Sequence, residues 1–170
     1  MKKLTIFLIC LLPAAILFAQ SKKDSTLVRP ANSISINLLG DFSLLSINYE
    51  RVFVITPSFF IAGKLGVGFN EEFCLFGCDD REKYLTIPQH ITGNIGKGKN
   101  FFEFGLGGTL ISGHTVQDYT LYPMIGYRLQ PLKSDKLNFR VYLQYPVTGY
   151  PAVAEDILFI PIGLSFGYCF

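Results

Sequence analysis

The chain has 170 residues, with 15 Lys and Arg against 13 Asp and Glu, and this length allows one folded domain. A nearly neutral chain without a basic block gives no support to nucleic-acid binding. Apolar residues make up 49% of the sequence and aromatic residues 15%, although tryptophan is absent.

The first 19 residues have the pattern of a secretory signal peptide. Lys2 and Lys3 precede an apolar run over 4–18, and Ala19 and Gln20 follow at a cleavage point. The run is too short to span a membrane, which takes about 20 apolar residues in a helix. We therefore expect residues 1–19 to be removed and 20–32 to form a short periplasmic segment. Removal of the two lysines takes the 15 basic residues to 13, equal to the 13 acidic ones.

After Gln20 the sequence has the period of strands and no capped helical period. Short alternating segments are separated by Gly, Pro, Asn, Asp and Lys, and most are long enough for a tilted membrane strand, which needs about 9–11 residues. Eight strands are predicted, over 33–39, 43–54, 58–69, 84–96, 101–112, 119–130, 137–148 and 157–170.

The two faces of these strands differ in size and polarity. In the seventh strand Leu137, Phe139 and Val141 alternate with Asn138 and Arg140. A soluble barrel would bury the apolar face, whereas a membrane barrel turns it toward lipid. Because an eight-stranded barrel has little room inside, the glycine-rich polar faces suit the lumen better than the bulky apolar ones. The sequence thus predicts an all-β fold, an eight-stranded antiparallel up-and-down transmembrane β-barrel over 33–170.

Two stretches and the last residues resemble a known group of proteins. The segments INYERVF (47–53) and IPQHITGNIGKGKNFFEFGLGGT (87–109) are similar to small outer-membrane β-barrel proteins of Bacteroidetes-type bacteria. Tyr168 and Phe170 resemble the C-terminal signal of such proteins, although Ser165 stands where that signal usually has glycine. The resemblance implies location in a bacterial outer membrane, and it implies that the barrel assembly machinery reads Tyr168 and Phe170.

Five charged residues fall on the predicted lumen faces: Glu50, Lys64, Glu103, Arg128 and Arg140. Strand pairing across the turns sets Glu50 beside Lys64 and Arg128 opposite Arg140. The two arginines would repel each other unless an acid lay between them, and Glu103 on the neighbouring strand is the candidate. Since buried charges need partners, we expect a salt-bridged network that closes the lumen, with a gated ion path as the alternative.

The longest predicted loop, 70–83, holds Cys74 and Cys78 together with several acids. Outside the cytoplasm the default for such a pair is a disulfide. Neither a second cysteine pair at zinc spacing nor an EF-hand spacing accompanies them, so no metal and no cofactor are expected. The loop is a candidate contact for an extracellular partner.

One pair of residues raises an enzymatic alternative. Ser112 and His114 lie two apart near the rim of the fifth strand, and some small barrels are lipid A deacylases or acyltransferases with a Ser/His/acid set. Ordinary loop chemistry explains the same residues. The run from Gly93 to Asn100 resembles a phosphate-binding loop, but a strand follows it instead of a helix, so it is interpreted as a turn.

The sequence therefore predicts a non-enzymatic outer-membrane protein, structural or acting through extracellular loops, whose partners are outer-membrane lipid and the assembly machinery. The alternatives are the lipid A-modifying enzyme and a soluble, lipocalin-like barrel that binds an apolar ligand.

Overall fold

The protein is a closed sheet of eight antiparallel strands. The computed structural model describes residues 29–72, 83–113, 118–132, 135–148 and 158–170. Each strand pairs with its neighbours in sequence and β8 pairs with β1, so the predicted all-β, up-and-down barrel is confirmed. The strands are β1 (Asn32–Leu38), β2 (Leu45–Thr56), β3 (Phe59–Glu71), β4 (Lys83–Lys97), β5 (Asn100–Ser112), β6 (Tyr119–Leu129), β7 (Leu137–Gln144) and β8 (Ile162–Cys169).

The described residues include no helix. They therefore contain no helix that is long and apolar enough to cross a membrane. At the seam between β1 and β8, Phe170 N donates to Asn32 O at 2.9 Å and Asn32 N donates to Phe170 O at 3.3 Å.

The two ends of the barrel differ in the length of their connections. At one end, called the short-turn end, the strands are joined by residues 57–58, 98–99 and 130–136. At the other, called the long-loop end, the connections are 39–44, 72–82, 113–118 and 145–161. The connections at the long-loop end are longer on average, as the sequence predicts, although 130–136 is one residue longer than 39–44 and 113–118. Longer loops at one end are typical of barrels in the outer membrane.

The apolar face of the sheet lies outside the barrel and the polar face lies inside. On β5, Phe102 and Leu106 are each 55% exposed, whereas Glu103 and Thr109 on the opposite face are fully buried. The same alternation holds on β1, where serine and asparagine point inward and isoleucine outward. A globular protein in water has the reverse distribution.

Glycines on the inner face give the large lumen side chains their space. A Cβ on Gly107 would lie 2.1 Å from the ring of Tyr122, and one on Gly163 would lie 2.3 Å from the ring of Tyr142. Both tyrosines are fully buried or nearly so. The small residues of β5 and β8 therefore fix where the two tyrosines fit.

Apolar clusters close the lumen at both ends. At the long-loop end Phe42, Tyr84, Ile111 and Tyr122 pack together, with Phe159 stacked on Phe42 at 4.8 Å between ring centroids. At the short-turn end the cluster consists of Val52, Phe60, Ala62 and Phe101. The polar lumen side chains lie between these two clusters.

The predicted bounds of β7 and β8 were too long. The sequence extends β7 to residue 148 and starts β8 at 157, but β7 ends at Gln144 and β8 begins at Ile162. Pro161 precedes β8, because proline has no N–H to donate to a ladder. Its carbonyl still accepts from Gln144 N at 2.9 Å, so the pairing continues for one more bond.

We expect Gly105→Ala to destabilise the barrel, because a Cβ there would lie 2.3 Å from Ile91 O and 2.7 Å from Thr92 Cα, both in the backbone. The loss should be about 1–3 kcal/mol, as for other overpacked sites. Since the chain has no tryptophan, urea unfolding in detergent micelles is followed by far-ultraviolet circular dichroism.

Gly63→Ala is the matched control, because a Cβ at Gly63 would meet nothing within 4 Å. Its free energy of unfolding should stay the same or rise by about 0.4–1 kcal/mol, since alanine restricts the unfolded chain. Equal effects of the two substitutions would contradict the packing described for Gly105.

Candidate functional site

Four charged side chains from four strands meet in the middle of the lumen. They are Glu50 on β2, Glu103 on β5, Arg128 on β6 and Arg140 on β7. Each occupies an inward position of its alternating strand, and none is more than 2% exposed. Because the barrel is narrow, inward side chains from non-adjacent strands reach one another across it.

These four residues form a ring of alternating charge, called here the central ring. Arg140 donates from Nε to Glu103 Oε2 at 2.9 Å and from Nη2 to Glu103 Oε1 at 2.8 Å. Its Nη1 donates to Glu50 Oε2 at 3.2 Å. Arg128 donates to both carboxylate oxygens of Glu50, and its Nη1 lies 3.0 Å from Glu50 Oε2. The same Nη1 lies 3.6 Å from Glu103 Oε1. Each charge thus contacts two charges of opposite sign.

The register of the strands explains why both acids are needed. Arg128 and Arg140 are direct Cα partners in the β6–β7 pair, and like charges directly opposite each other destabilise a sheet. Glu103 contacts both guanidinium groups, and Glu50 contacts them from across the lumen. The acids turn a repulsive pair into a closed network.

Lys64 belongs to a second cluster and not to the central ring. Glu50 and Lys64 are Cα partners, as the turn position predicts, but the Lys64 ammonium forms its ion pair with Asp41, with Nζ 2.6 Å from Oδ2. The predicted position of Glu50 beside Lys64 is thus confirmed by the register, but the ion-pair partner of Lys64 is Asp41. Both carboxylate oxygens of Glu50 are taken by the two arginines.

Asp41 is the centre of this second cluster, although it lies in the 39–44 connection and not on a strand. Its carboxylate accepts from Tyr142 Oη at 2.7 Å and from Asn37 Nδ2 at 2.8 Å, and it lies 2.8 Å from His90 Nε2. The connection must fold back into the lumen to make these contacts. Asp41 is accordingly fully buried.

The backbone of this connection takes an unusual course. Leu39, Asp41 and Phe42 have φ angles of 58°, 54° and 52°, and Gly40 between them has 72°. Left-handed conformations cost free energy for residues other than glycine and persist only when surrounding contacts hold them. Here the contacts of the Asp41 carboxylate and the burial of Phe42 hold them.

Electrostatics favour the ionised form of Asp41. Burial alone would raise the pKa of its carboxyl, but attraction from His90 and Lys64, together with their hydrogen bonds, holds the pKa well below its ordinary value. Asp41 is therefore a fixed negative charge at neutral pH, and it offsets the buried ammonium of Lys64.

Sequence reasoning missed Asp41, yet a charge count points to it. The five predicted lumen residues comprise three cations and two acids, so one positive charge lacks a partner. A buried unpaired charge is too costly to persist, which requires a third acid. Asp41 directly follows the first strand and is the acid closest in sequence to that strand's inward positions. Together with Asp41, the five predicted residues make three carboxylates and three permanent cations.

Arg29 occupies the short-turn end of the lumen and makes no ion pair among the described residues. Its guanidinium donates to Gly98 O at 2.6 Å and lies 4.5 Å from the centroid of the Phe101 ring. It also donates to Pro57 O and Gln130 O, both at 3.4 Å. Since Pro57 and Gly98 belong to the short turns and Gln130 starts the third connection, Arg29 ties these connections together.

The residues considered for catalysis lie only partly within the described chain. Ser112 is the exposed last residue of β5, and Asp118 is exposed at the start of β6. His114 lies outside the described residues. A catalytic set at this rim therefore stays a prediction.

The cysteine and metal predictions have different outcomes. Cys74 and Cys78, and with them most of loop 70–83, lie outside the described residues. Cys169 is a buried, free thiol on the inner face of β8, as its position in the strand pattern predicts. Within the described ranges no group of three or more His, Cys, Asp or Glu side chains could hold a metal ion.

The carboxylates of the lumen are saturated with hydrogen bonds. Every carboxylate oxygen of Asp41, Glu50 and Glu103 accepts at least one hydrogen bond from another lumen side chain. A general acid or base needs a polar atom directed at a substrate. These oxygens are directed at guanidinium, ammonium, hydroxyl and amide groups of the barrel itself, an arrangement suited to holding the strands together.

We expect Glu103→Gln to lower the free energy of unfolding by about 3–5 kcal/mol, the range found when one partner of a buried ion pair is removed. The substitution keeps the shape of the side chain but leaves Arg140 with one full negative charge fewer. Urea unfolding in micelles measures the loss.

Asp135→Asn is the control for Glu103→Gln. Asp135 pairs with Lys99 at the surface, where the two side chains are 46% and 47% exposed. Such pairs contribute about 0–1 kcal/mol. A Glu103→Gln loss no larger than that of Asp135→Asn would show that the central ring does not stabilise the barrel.

The pH dependence of stability should carry a contribution from Asp41. Because its folded pKa lies below the unfolded value of about 3.9, the stabilisation is complete above that pH and is lost as the pH falls further, toward the folded pKa. Asp41→Asn should be less stable than the native chain at pH 7 and should lose less of its stability below about pH 4. The free energy of unfolding of both proteins is measured by urea unfolding between pH 5 and pH 2. An equal decrease in the two proteins would show that Asp41 makes no pH-dependent contribution.

The barrel and its lumen are the features from which a function must be inferred. No protein-family model, curated protein or solved structure matches the chain. The sheet has one buried face that carries the charges and one exposed face that is apolar, and a function is inferred from this contrast.

Proposed function

We propose that this chain is a non-enzymatic outer-membrane β-barrel protein, structural or acting through its extracellular loops, with a lumen closed by salt bridges. The observation that carries the proposal is the inversion of polarity across the sheet. Ile91, Ile47 and Leu137 on the outside are 66%, 62% and 73% exposed, whereas the charges of the central ring are buried.

An apolar belt of this extent needs a nonaqueous surrounding. Soluble monomers rarely expose a contiguous apolar patch larger than a few hundred Å². Exposed large apolar side chains occur here on all eight strands, so the patch runs around the whole barrel. A closed barrel leaves no unpaired strand edge, which is the condition for crossing hydrocarbon with strands. Strands β2 to β6 have 11 to 15 residues, enough to cross with a tilt.

Aromatic residues near the short-turn end support a membrane boundary there. Tyr49 Oη donates to Asn32 Oδ1 at 2.8 Å, and Tyr127 Oη donates to Asn100 Oδ1 at 2.6 Å. Lys136 Nζ lies 5.3 Å from the centroid of the Tyr168 ring. Tyrosines with an apolar ring outward and a polar partner at the rim are typical of membrane–water interfaces.

The proposed orientation follows from the ends of the barrel. With the signal peptide cleaved, the N-terminus lies in the periplasm and the short turns face that side, as in other barrels of this kind. The long-loop end then faces outward and offers loop 70–83 to a partner. Phe170, 57% exposed on the outer face next to the seam, is available to the assembly machinery, which accords with the resemblance to small Bacteroidetes-type barrels.

The charged lumen argues against the soluble alternative. A lipocalin-like protein encloses an apolar cavity for its ligand. The middle of this lumen is instead occupied by paired charges, and its apolar side chains pack into one cluster at each end.

Fractionation of cells that produce the full chain tests the proposal. We expect the protein in the detergent-extracted outer-membrane fraction, with faster gel migration before boiling than after it, because a folded barrel resists the detergent of the gel. Recovery as a soluble periplasmic monomer would overturn the proposal.

Two single substitutions to arginine, Ile125→Arg and Leu137→Arg, test the proposed membrane location at individual outward positions. Ile125, 52% exposed in the middle of β6, should tolerate arginine poorly, with a loss of about 2–4 kcal/mol in lipid vesicles. Leu137, 73% exposed at the short-turn end of β7, should lose at most about 1 kcal/mol because the cost falls near the interface. In a water-soluble barrel neither substitution would destabilise, since both side chains would already face water.

A further inference from the structure

The outer face carries one polar side chain far from either end of the barrel, Gln89 on β4. The other outward-facing polar residues of the described strands lie at the rims. They are Asn32, Arg51, Thr56, Glu71, Lys83, Lys97, Asn100 and Ser112, of which Arg51 pairs with Asn32 at the first position of β1. On β4 itself Gln89 is exposed between the outward-facing Ile87 and Ile91.

The register places Gln89 midway between the two ends. A row of Cα partners runs from Ile34 near the short-turn end of β1 to Leu121 near the long-loop end of β6. Gln89 lies near the middle of this row, which comprises Ile34, Tyr49, Leu65, Gln89, Gly108 and Leu121. In the proposed membrane, its amide would thus lie deep in the hydrocarbon.

Gln89 makes no side-chain hydrogen bond to any described residue. In water an exposed amide is satisfied by solvent. In hydrocarbon an amide without a partner costs several kcal/mol, about 4–8 on the cyclohexane scale. Polar side chains at that depth are therefore expected to bind a partner.

The surface around Gln89 is a groove, open to the outside, of about 840 Å³. Its lining includes Gly63, Gly93 and Gly108 on three adjacent strands. The Phe104 ring fills the space beside Gly93 and the Tyr119 hydroxyl the space beside Gly108, so Gly63 is the open hollow. Ile91 projects beside Gly63, its direct Cα partner, and is 66% exposed. The face therefore carries a projecting side chain directly beside a hollow, so two copies of it could interlock.

We infer that this face, formed by Gln89, Ile91 and Gly63 on β3 and β4, binds a second copy of the chain in the membrane. The inference rests on the proposed membrane location. A lipid cannot satisfy the amide, because acyl chains carry no donor or acceptor and headgroups lie at the interface. A second barrel in the same membrane presents the same amide at the same depth.

The amide is also self-complementary, since it holds two donors and one acceptor oxygen. A two-fold axis along the membrane normal brings Gln89 of one protomer to Gln89 of its partner, with Ile91 of each directed at the Gly63 hollow of the other. Symmetric pairs of this kind are the commonest oligomers, and small residues with a polar side chain are the usual contact in membranes.

Photo-cross-linking in isolated outer membranes tests the dimer. The photoreactive residue p-benzoylphenylalanine replaces Leu65, the direct Cα partner of Gln89, so that the amide stays intact. The control replaces Ile36 on β1, three strands from the β4 strand that carries Gln89. The native side chains at 65 and 36 are 57% and 49% exposed. We expect a product of twice the chain mass from position 65 and none from position 36. A product with a different protein, or with lipid alone, would overturn the inference.

Two substitutions separate the amide from the hollow. Gln89→Leu should weaken association by about 3- to 30-fold, the range for a hydrogen bond between membrane segments. Gly63→Leu should abolish the position-65 product by filling the hollow, and the free monomer has space for the added side chain. Association is measured by single-molecule photobleaching in vesicles at graded protein-to-lipid ratios.

Heat-modifiable gel migration of each variant shows whether its barrel has folded. Folded, membrane-inserted barrels that remain monomeric at every ratio would overturn the dimer and leave the proposed function intact. Recovery of the native chain in the soluble fraction would overturn both.

Discussion

Charges that meet in the middle of a lumen this narrow need partners of opposite sign, and much of the structure depends on that constraint. Each charge of the central ring comes from a different strand, so the ring fixes four strands relative to one another at one level. The Asp41–Lys64 pair does the same for the 39–44 connection, which takes up left-handed backbone conformations to reach the ammonium. In both arrangements, removing one partner leaves a buried unpaired charge and strongly destabilises the fold. Replacing the whole pair with apolar residues of similar volume would change the stability far less.

The charged lumen and the apolar exterior are two aspects of one distribution of residues. Strands alternate, so a sequence that sends its polar side chains inward must send its apolar side chains outward. Once paired charges and tyrosines fill the interior, the bulky aliphatic residues have no place except the outside. In the proposed membrane, lipid would surround this apolar exterior, and the amide of Gln89 would be its polar exception.

Strand number, pairing order and the direction of each face could be predicted from the sequence, because alternation is a local property that each strand displays by itself. The register at the tight turns followed from the turn positions, which set Glu50 opposite Lys64 and Arg128 opposite Arg140. The ion-pair partner of Lys64 could not be predicted in this way, since Asp41 reaches it through a fold of the chain that has no period. The start of β8 was missed because Leu158 and Ile160 continue its apolar alternation, whereas Pro161 ends the ladder.

The seam between Asn32 and Phe170 has a consequence for the order of assembly. Asn32, which begins β1, and Phe170, which follows β8, exchange two backbone hydrogen bonds, and residues 33–38 of β1 pair with β8, so the ladder closes only when β8 is in place. A nascent chain without β8 has two open edges, and Arg140 on β7 then faces a lumen that is still open on one side. Closure therefore has to wait for β8, the last strand of the sheet. Until then, the full-length polypeptide has to be kept from pairing its edges with another chain.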